Sequence, residues 1–206
     1  MTLSAALELA PVRYRAPLEQ VIREEGITNI AEFLGTLFYE SAYLTRFEEN
    51  LNYSTDALLK KFSRRRISYE DAVAYGRGPG RAADRVKIAN TIYGGPFGLE
   101  QLGNTQPNDG WHFRGQGPIQ LTGRANWKAF STYLKMPQLM LDPGIALRDP
   151  LLACKSASFF WIQLKGLNKL GKDMRAITKV VTGAADTAIK SRLEYRDRVQ
   201  KLLDQP

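Results

Sequence analysis

Two carboxylates nine residues apart, Glu40 and Glu49, are the groups in this chain best placed to do chemistry. They lie in the stretch FLGTLFYESAYLTRFEENLNYS, residues 33–54. A pair of carboxyls in different surroundings suits hydrolysis of a sugar bond, because one can protonate the leaving oxygen while the other activates water. Ile30, Phe33, Leu34, Leu37 and Phe38 fall on one stripe at helical spacing, with Thr28 or Asn29 as the cap. At the helical turn angle, Glu40 lies about 80° from the middle of that stripe. It sits at the edge of the buried face beside Phe33 and Leu37, partly removed from water, as a general acid requires. Position alone favours a solvated edge glutamate. Over residues 44–56 the helical period fails. Asn50, Asn52 and Ser54 mark an irregular or short-stranded segment, and Ser54 or Thr55 can cap a helix at 56–62. Glu48 and Glu49 fall in this segment, and an exposed carboxylate near Asn and Ser groups stays ionised, as a water-activating base must.

The remaining elements have to hold a substrate over this pair. Residues 1–26 read as a helix, a break from Pro11 to Pro17, and a second helix, PLEQVIREEG. Arg64, Arg65 and Arg66 form a run that serves either as a solvated face or as a phosphate patch. Residues 69–93 are helical in two pieces split by GRGPG, which lacks the GKS/T of a nucleotide-binding loop. Residues 94–117 carry 7 of the 17 glycines together with Trp111, His112 and Phe113. A long glycine-rich loop with aromatics is more often a binding surface than filler. The segment PIQLTGRANW then offers Gln120, Thr122, Asn126 and Trp127 as donors, acceptors and a stacking face. That mix suits sugar hydroxyls and N-acetyl groups, and it would also suit a plain helix cap. Asp149-Pro150 starts a helix expected to run through Trp161 to Gly166 as the central core helix. A short helix is expected at 172–181. A last amphipathic helix at 186–203 carries Lys190, Arg192, Arg196, Arg198 and Lys201. It reads as a surface helix packed on the body, with a membrane-active role as the alternative.

Bulk composition narrows the classes. The 206 residues are 44% hydrophobic and 24% charged, in the range of one globular domain with a sizeable core. A net charge of +8 favours an anionic partner, whether nucleic acid, an anionic membrane face or a bacterial wall. One cysteine, Cys154, and one histidine, His112, argue against a disulfide framework, a His/Cys zinc hydrolase and Cys/His catalysis. Cys154 sits in the apolar run LLACKSASFFW and is expected to be a buried core thiol. The apolar N-terminal run is broken by Glu8 and does not read as a signal peptide, and no stretch is long enough to span a membrane. The expectation is a soluble cytosolic chain; if it acts on a wall, something else must let it out.

Two blocks in order, YESAYLTRFEENLNYS and DGWHFRGQGPIQLTGRANW, resemble the signature blocks of glycoside hydrolase family 19. In bacterial and phage members these read close to HESGGF…ENLNYS and DGW.(Y/F)RGRGPIQLTGRANY. The likeness extends from about residue 16 to 200, and the compact form is most similar to phage endolysins. The resemblance implies a mainly α-helical, lysozyme-like, two-lobed fold, with a substrate groove between the lobes of a single catalytic domain spanning 1–206. No separate wall-binding domain is expected.

The resemblance also implies inverting hydrolysis of β-1,4 bonds between N-acetylated sugars, without metal or cofactor. Carried over by position, Glu40 matches the general acid and Glu49 the base, with Glu48 as the rival. Thr122 matches a hydroxyl that helps hold the water, Gln120 and Asn126 match sugar-binding polar groups, and Arg192 matches a basic residue that pairs with a carboxylate. Trp111 and Tyr53 are the expected aromatic sugar contacts. Tyr39 stands where many members have His, and Thr182-Gly183-Ala184 stands where many have Asn-Gly-Gly. The expected activity is an endolysin, a monomer cutting peptidoglycan strands, with the basic last helix meeting an anionic outer-membrane surface. A chitinase of the same family is the first alternative. A nucleic-acid or membrane binder is the alternative of another class, and nucleic acid is not the expected partner.

Overall fold

The computed structural model describes residues 3–205. Its helices are α1 (Leu3–Leu7), α2 (Val12–Glu24), α3 (Ile30–Ser41), α4 (Thr55–Lys61), α5 (Tyr69–Tyr75), α6 (Arg85–Ile92) and α7 (Gly95–Phe97). They continue with α8 (Asp109–His112), α9 (Arg124–Leu134), α10 (Gln138–Leu141), α11 (Ile145–Arg148), α12 (Pro150–Phe159), α13 (Met174–Thr182) and α14 (Ile189–Leu203), with π-helical turns at Gly98–Leu102 and at Phe160–Leu164, which prolongs α12, and a 3-10 turn at Leu167–Leu170. Among the described residues no strand forms. β-Pairing among the described residues is limited to isolated bridges such as Glu48 with Gln116 and Ser54 with Arg77. The mainly α expectation is met. The chain divides into two compact units.

The first unit comprises Met1–Phe47, Gly117–Gln120 and Ile145–Pro206. Its centre is α3, where Phe33, Leu34, Leu37 and Phe38 are fully buried. Burying four such side chains contributes about 1.5–3 kcal/mol each. Burial extends beyond the expected stripe to Glu32, Thr36 and Ser41, so α3 is enclosed on almost every side. Its main neighbour is α14. Gly35 allows their close approach, since a Cβ there would lie 2.6 Å from the Arg196 Cα. The α12 helix packs on α2 and buries Ala153, Cys154 and Ala157.

Two sequence expectations change here. The break from Pro11 to Pro17 does not occur, because α2 starts directly after Pro11 and carries Pro17 inside it. Its buried face of Tyr14, Leu18, Val21 and Ile22 runs across the proline, and that burial outweighs the loss of one backbone donor near the helix start. Asn29 stands at the α3 N-cap but makes no cap hydrogen bond. Its amide donates to Leu167 O and Gly171 O, and its oxygen accepts from Trp161 Nε1.

The second unit comprises Glu48–Gln116 and Leu121–Gly144. Its core is Leu51, Leu58, Phe62, Ile67, Ala72, Ile88, Ala89 and Ile92, from α4 to α6 and their links. Ser54, one of the two expected caps, accepts from Ala57 N; Ser68 likewise accepts from Asp71 N and Asp84 from Lys87 N. Two members of the arginine run finish helices, and Arg65 between them is exposed. Arg64 donates to Leu59 O and Phe62 O at the end of α4, and Arg66 to Ile92 O at the end of α6.

Candidate active site

Glu40 occupies the last turn of α3, where the helix stops by a local device. The buried Ser41 hydroxyl donates to Leu37 O and accepts from Leu44 N. The Ser41 carbonyl accepts from Thr45 N and Arg46 N. Ala42, Tyr43 and Leu44 then take left-handed φ values of 47°, 56° and 63°. Three such non-glycine residues in a row are costly, at about 1–2 kcal/mol each. Surrounding packing fixes them: the Tyr43 ring stacks on Tyr195 at 5.0 Å and lies against Phe38 at 5.2 Å.

The Glu40 carboxylate is bound by Arg192 Nη2 from α14. Glu40 is 21% exposed and Arg192 only 3%, so a buried guanidinium fixes a carboxylate that still reaches solvent. Arg192 is itself held by Thr187 O at 3.1 Å and by the Tyr39 ring, 4.4 Å from its centre. Tyr39 meets Tyr195 edge-on at 5.6 Å. The tyrosine at the position of the expected histidine therefore acts as a platform for the cation that holds Glu40.

Glu49 lies on the extended segment of the second unit, its amide donating to Gly115 O at 3.1 Å. Successive residues of extended backbone face opposite ways, and Glu48 and Glu49 have different partners. Glu48 is 58% exposed and pairs with Arg114 at 2.8 Å. Glu49 is half-buried and accepts a 2.6 Å hydrogen bond from the Tyr93 hydroxyl. Burial raises the Tyr93 pKa, and the Glu49 charge raises it further, so this phenol stays a donor throughout the working range. Arg66 lies beside it, and burial lowers its pKa while the Tyr93 and Glu49 groups oppose that shift.

The residues implied for sugar binding are divided between the two units. Gln120 belongs to the first unit, at a left-handed φ of 58°, with its side chain donating to Gly117 O. Thr122 and Asn126 belong to the second, where the Asn126 amide donates to the Thr122 carbonyl at 2.7 Å. Trp111 and Tyr53 pack partly against the second unit's core. Arg114 covers the Trp111 ring at 4.1 Å and Lys61 the Tyr53 ring at 4.7 Å. Trp127 is fully buried, with Nε1 donating to Leu121 O. It is a core residue and not the expected stacking face. Thr182 closes α13 by donating to Thr178 O. His112 bonds Met140 O. Cys154 is fully buried, and burial raises its thiol pKa well above the ordinary value.

Sequence reasoning missed Tyr93 and Arg66. Nothing local marks a tyrosine 44 residues from its carboxylate partner. It also missed the bidentate pair of Asp109 with Arg124, at 2.7 and 2.5 Å, although both residues stand in the second signature block.

Comparison with known proteins gives these arrangements a context. No family model matches the chain. Over 155 residues it is 34% identical to a glycosyl hydrolase family 19 domain-containing protein of Haemophilus influenzae, covering 74% of this chain and 72% of that protein. The chain belongs to glycoside hydrolase family 19. Shorter stretches of this family 19 hydrolase match plant proteins. It is 32% identical over 91 residues to an endochitinase of Arabidopsis thaliana, covering 42% of this chain and 31% of that protein. It is 34% identical over 76 residues to chitinase 8 of Oryza sativa, covering 37% and 28%. The crystal structure of chitinase C from Streptomyces griseus shares the fold, with a TM-score of 0.56 at 14% identity over 98% of this chain and 90% of that one. The protein is thus a chitinase-like glycoside hydrolase with a mainly helical fold.

Proposed function

We propose that this family 19 hydrolase is an endolysin that cuts β-1,4 bonds of bacterial peptidoglycan with inversion, during release from a host cell. Glu40 is the general acid and Glu49 the base. The observation that carries the reading is that each carboxylate is anchored by one dedicated partner. Arg192 occupies one Glu40 oxygen and Tyr93 one Glu49 oxygen. Each then has a second oxygen for proton transfer. Glu40, a carboxylate paired with Arg192 in the free protein, takes up a proton before the step and gives it to the departing glycosidic oxygen. Glu49 takes a proton from water, whose oxygen attacks the anomeric carbon from the opposite face. The Thr122 hydroxyl helps to hold that water, and Gln120, Asn126, Trp111 and Tyr53 contact sugar residues.

Charge supports a wall polymer as substrate. Residues 60–87 hold nine Lys/Arg against three Asp/Glu, an excess of six in a chain of net +8. Lys60, Arg65, Arg77 and Arg85 are exposed there. On the last helix Arg192 and Arg196 pair with Glu40 and Glu32, and Lys190, Arg198 and Lys201 are exposed. We assign the wall-facing surface to the α4–α6 segment, where the positive excess is larger. The names of the plant relatives favour a second reading, a chitinase acting on N-acetylglucosamine polymers.

Digestion of purified peptidoglycan, with mass spectrometry of the fragments and proton NMR of the first products, tests both. Fragments with a new reducing end in the α configuration are expected, and a new β anomer removes the inverting mechanism. Intact wall with cleaved chitin oligomers selects the chitinase. Glu40→Gln and Glu49→Gln should each lower turnover by about 10²-fold or more, and Glu48→Gln should be milder. The reverse order moves the base to Glu48.

A further inference from the structure

We infer that Tyr93, backed by Arg66, is a positioning residue that selects which oxygen of Glu49 accepts the proton from water. The inference rests on Glu49 being the base, as proposed above. Tyr93 directly follows α6, and its hydroxyl donates to Glu49 Oε2 at 2.6 Å. A bond this short, from a neutral donor to a carboxylate, is of the stronger, charge-assisted kind. It restrains the carboxylate's rotation and leaves Oε1 as the proton acceptor.

The phenol is held in turn. Arg66 donates through Nε to Ile92 O at 2.9 Å, which ties it to the end of α6. Its guanidinium lies 5.5 Å from the centre of the Tyr93 ring, 3.9 Å from that of Phe97 and 4.9 Å from that of Phe62. The third residue of the arginine run is therefore an aromatic-caged cation directly behind the phenol. Its planar group is suited to stacking in a way that an ammonium is not. In the catalytic step the water proton passes to Glu49 Oε1 and the water oxygen bonds to the anomeric carbon. The leaving oxygen takes the proton of Glu40, so charge and atoms balance. Tyr93 keeps its own proton throughout.

The test is a double-mutant cycle on whichever soluble β-1,4 N-acetylhexosamine oligomer the wild type cleaves. Tyr93→Phe removes only the hydroxyl. It should lower kcat about ten- to thirty-fold, a share of the 10²–10⁴ range of general-base catalysis, with KM and the melting temperature nearly unchanged. Glu49→Ala should be almost inactive and regain turnover with sodium azide, which attacks in place of water without needing a base. In that azide reaction, adding Tyr93→Phe should cost nothing further, because the group it orients is gone. Arg66→Lys should reproduce part of the Tyr93→Phe loss in the wild type and none of it in the azide reaction.

Equal losses from Tyr93→Phe in both backgrounds would show a merely structural role and overturn the inference. Full kcat for Tyr93→Phe, with Glu49→Ala rescued by azide, would also overturn it while leaving Glu49 as the base. A fully active Glu49→Ala would remove the base assignment itself, and the inference with it.

Discussion

A carboxylate anchored by a buried guanidinium and one anchored by a phenol respond differently to the same isosteric change. Glu40→Gln leaves Arg192, 3% exposed, without its counter-charge. Unfolding free energy should fall by about 1–3 kcal/mol, less than for a wholly buried pair because Glu40 itself keeps some solvent. Glu49→Gln still offers Tyr93 an acceptor oxygen, so its stability should stay within about 0.5 kcal/mol of wild type. Denaturant melts of the two variants give this comparison directly. Asp109 gives a pH-dependent case. Burial works against its charge, but the Arg124 hydrogen bond and the backbone amides of Gln106 and Thr105 outweigh it and hold the pKa below the ordinary value. A group whose folded pKa is depressed stabilises above its unfolded value, about 3.9 for Asp, and that contribution is lost as pH falls through the folded value. Asp109→Asn should therefore cost about 1–3 kcal/mol at pH 7, and the gap to wild type should close below about pH 4. Urea melts at pH 7 and pH 3 measure it.

At the scale of elements, the turn after α3 shows where local sequence rules were overridden. Ala42 and Tyr43 hold left-handed backbone where the family resemblance has Gly-Gly. Ala42→Gly should raise stability by up to about 1 kcal/mol, the relief of strain exceeding the entropy cost of glycine. A fall would mean that the Ala42 methyl group packs more tightly than its partial burial implies. Tyr43 is different, because its ring is held between Phe38 and Tyr195. Much of this element level was legible from the chain alone. Ser54 and Asp149-Pro150 signal helix starts by their own chemistry, and α3 announces itself by spacing. Cys154 in its apolar run signals a core thiol. What was illegible depends on partners distant in sequence. Pro17 reads as a breaker until the burial on both sides of it is seen. Asn29 reads as a cap until its amide is found bonded 138 and 142 residues away. Trp127 and Trp111 look alike in sequence, yet one is core and the other lies under Arg114. The carboxylates could be picked out by type and spacing, while Tyr93 and Arg66 could not, because only the fold brings them together.

For the molecule as a whole, the charge excess has a location. Arg64 and Arg66 of the basic segment are tied to helix ends, but Lys60, Arg65, Arg77 and Arg85 project to solvent. Changing these four to Gln should weaken co-sedimentation with purified walls several-fold at low salt and leave turnover of soluble oligomers unaltered. The difference should fade near 0.5 M salt, where screening shortens to about 4 Å. Equal wall binding by the variant at low salt would assign the attraction elsewhere. On the last helix Arg192 and Arg196 face carboxylates of α3, while Lys190, Arg198 and Lys201 are exposed.

The missing side chain at position 35 bears on all of this. The backbone of α14 rests where a methyl group on α3 would have to be, 2.6 Å from Arg196 Cα and 2.8 Å from its amide nitrogen. One helix turn beyond lie Glu40 on the first helix and Arg192 on the second. Gly35 thus acts as a spacer of zero thickness that sets how far Glu40 stands from its cation. A single added carbon would lever the two helices apart and draw Arg192 from Glu40 without touching either.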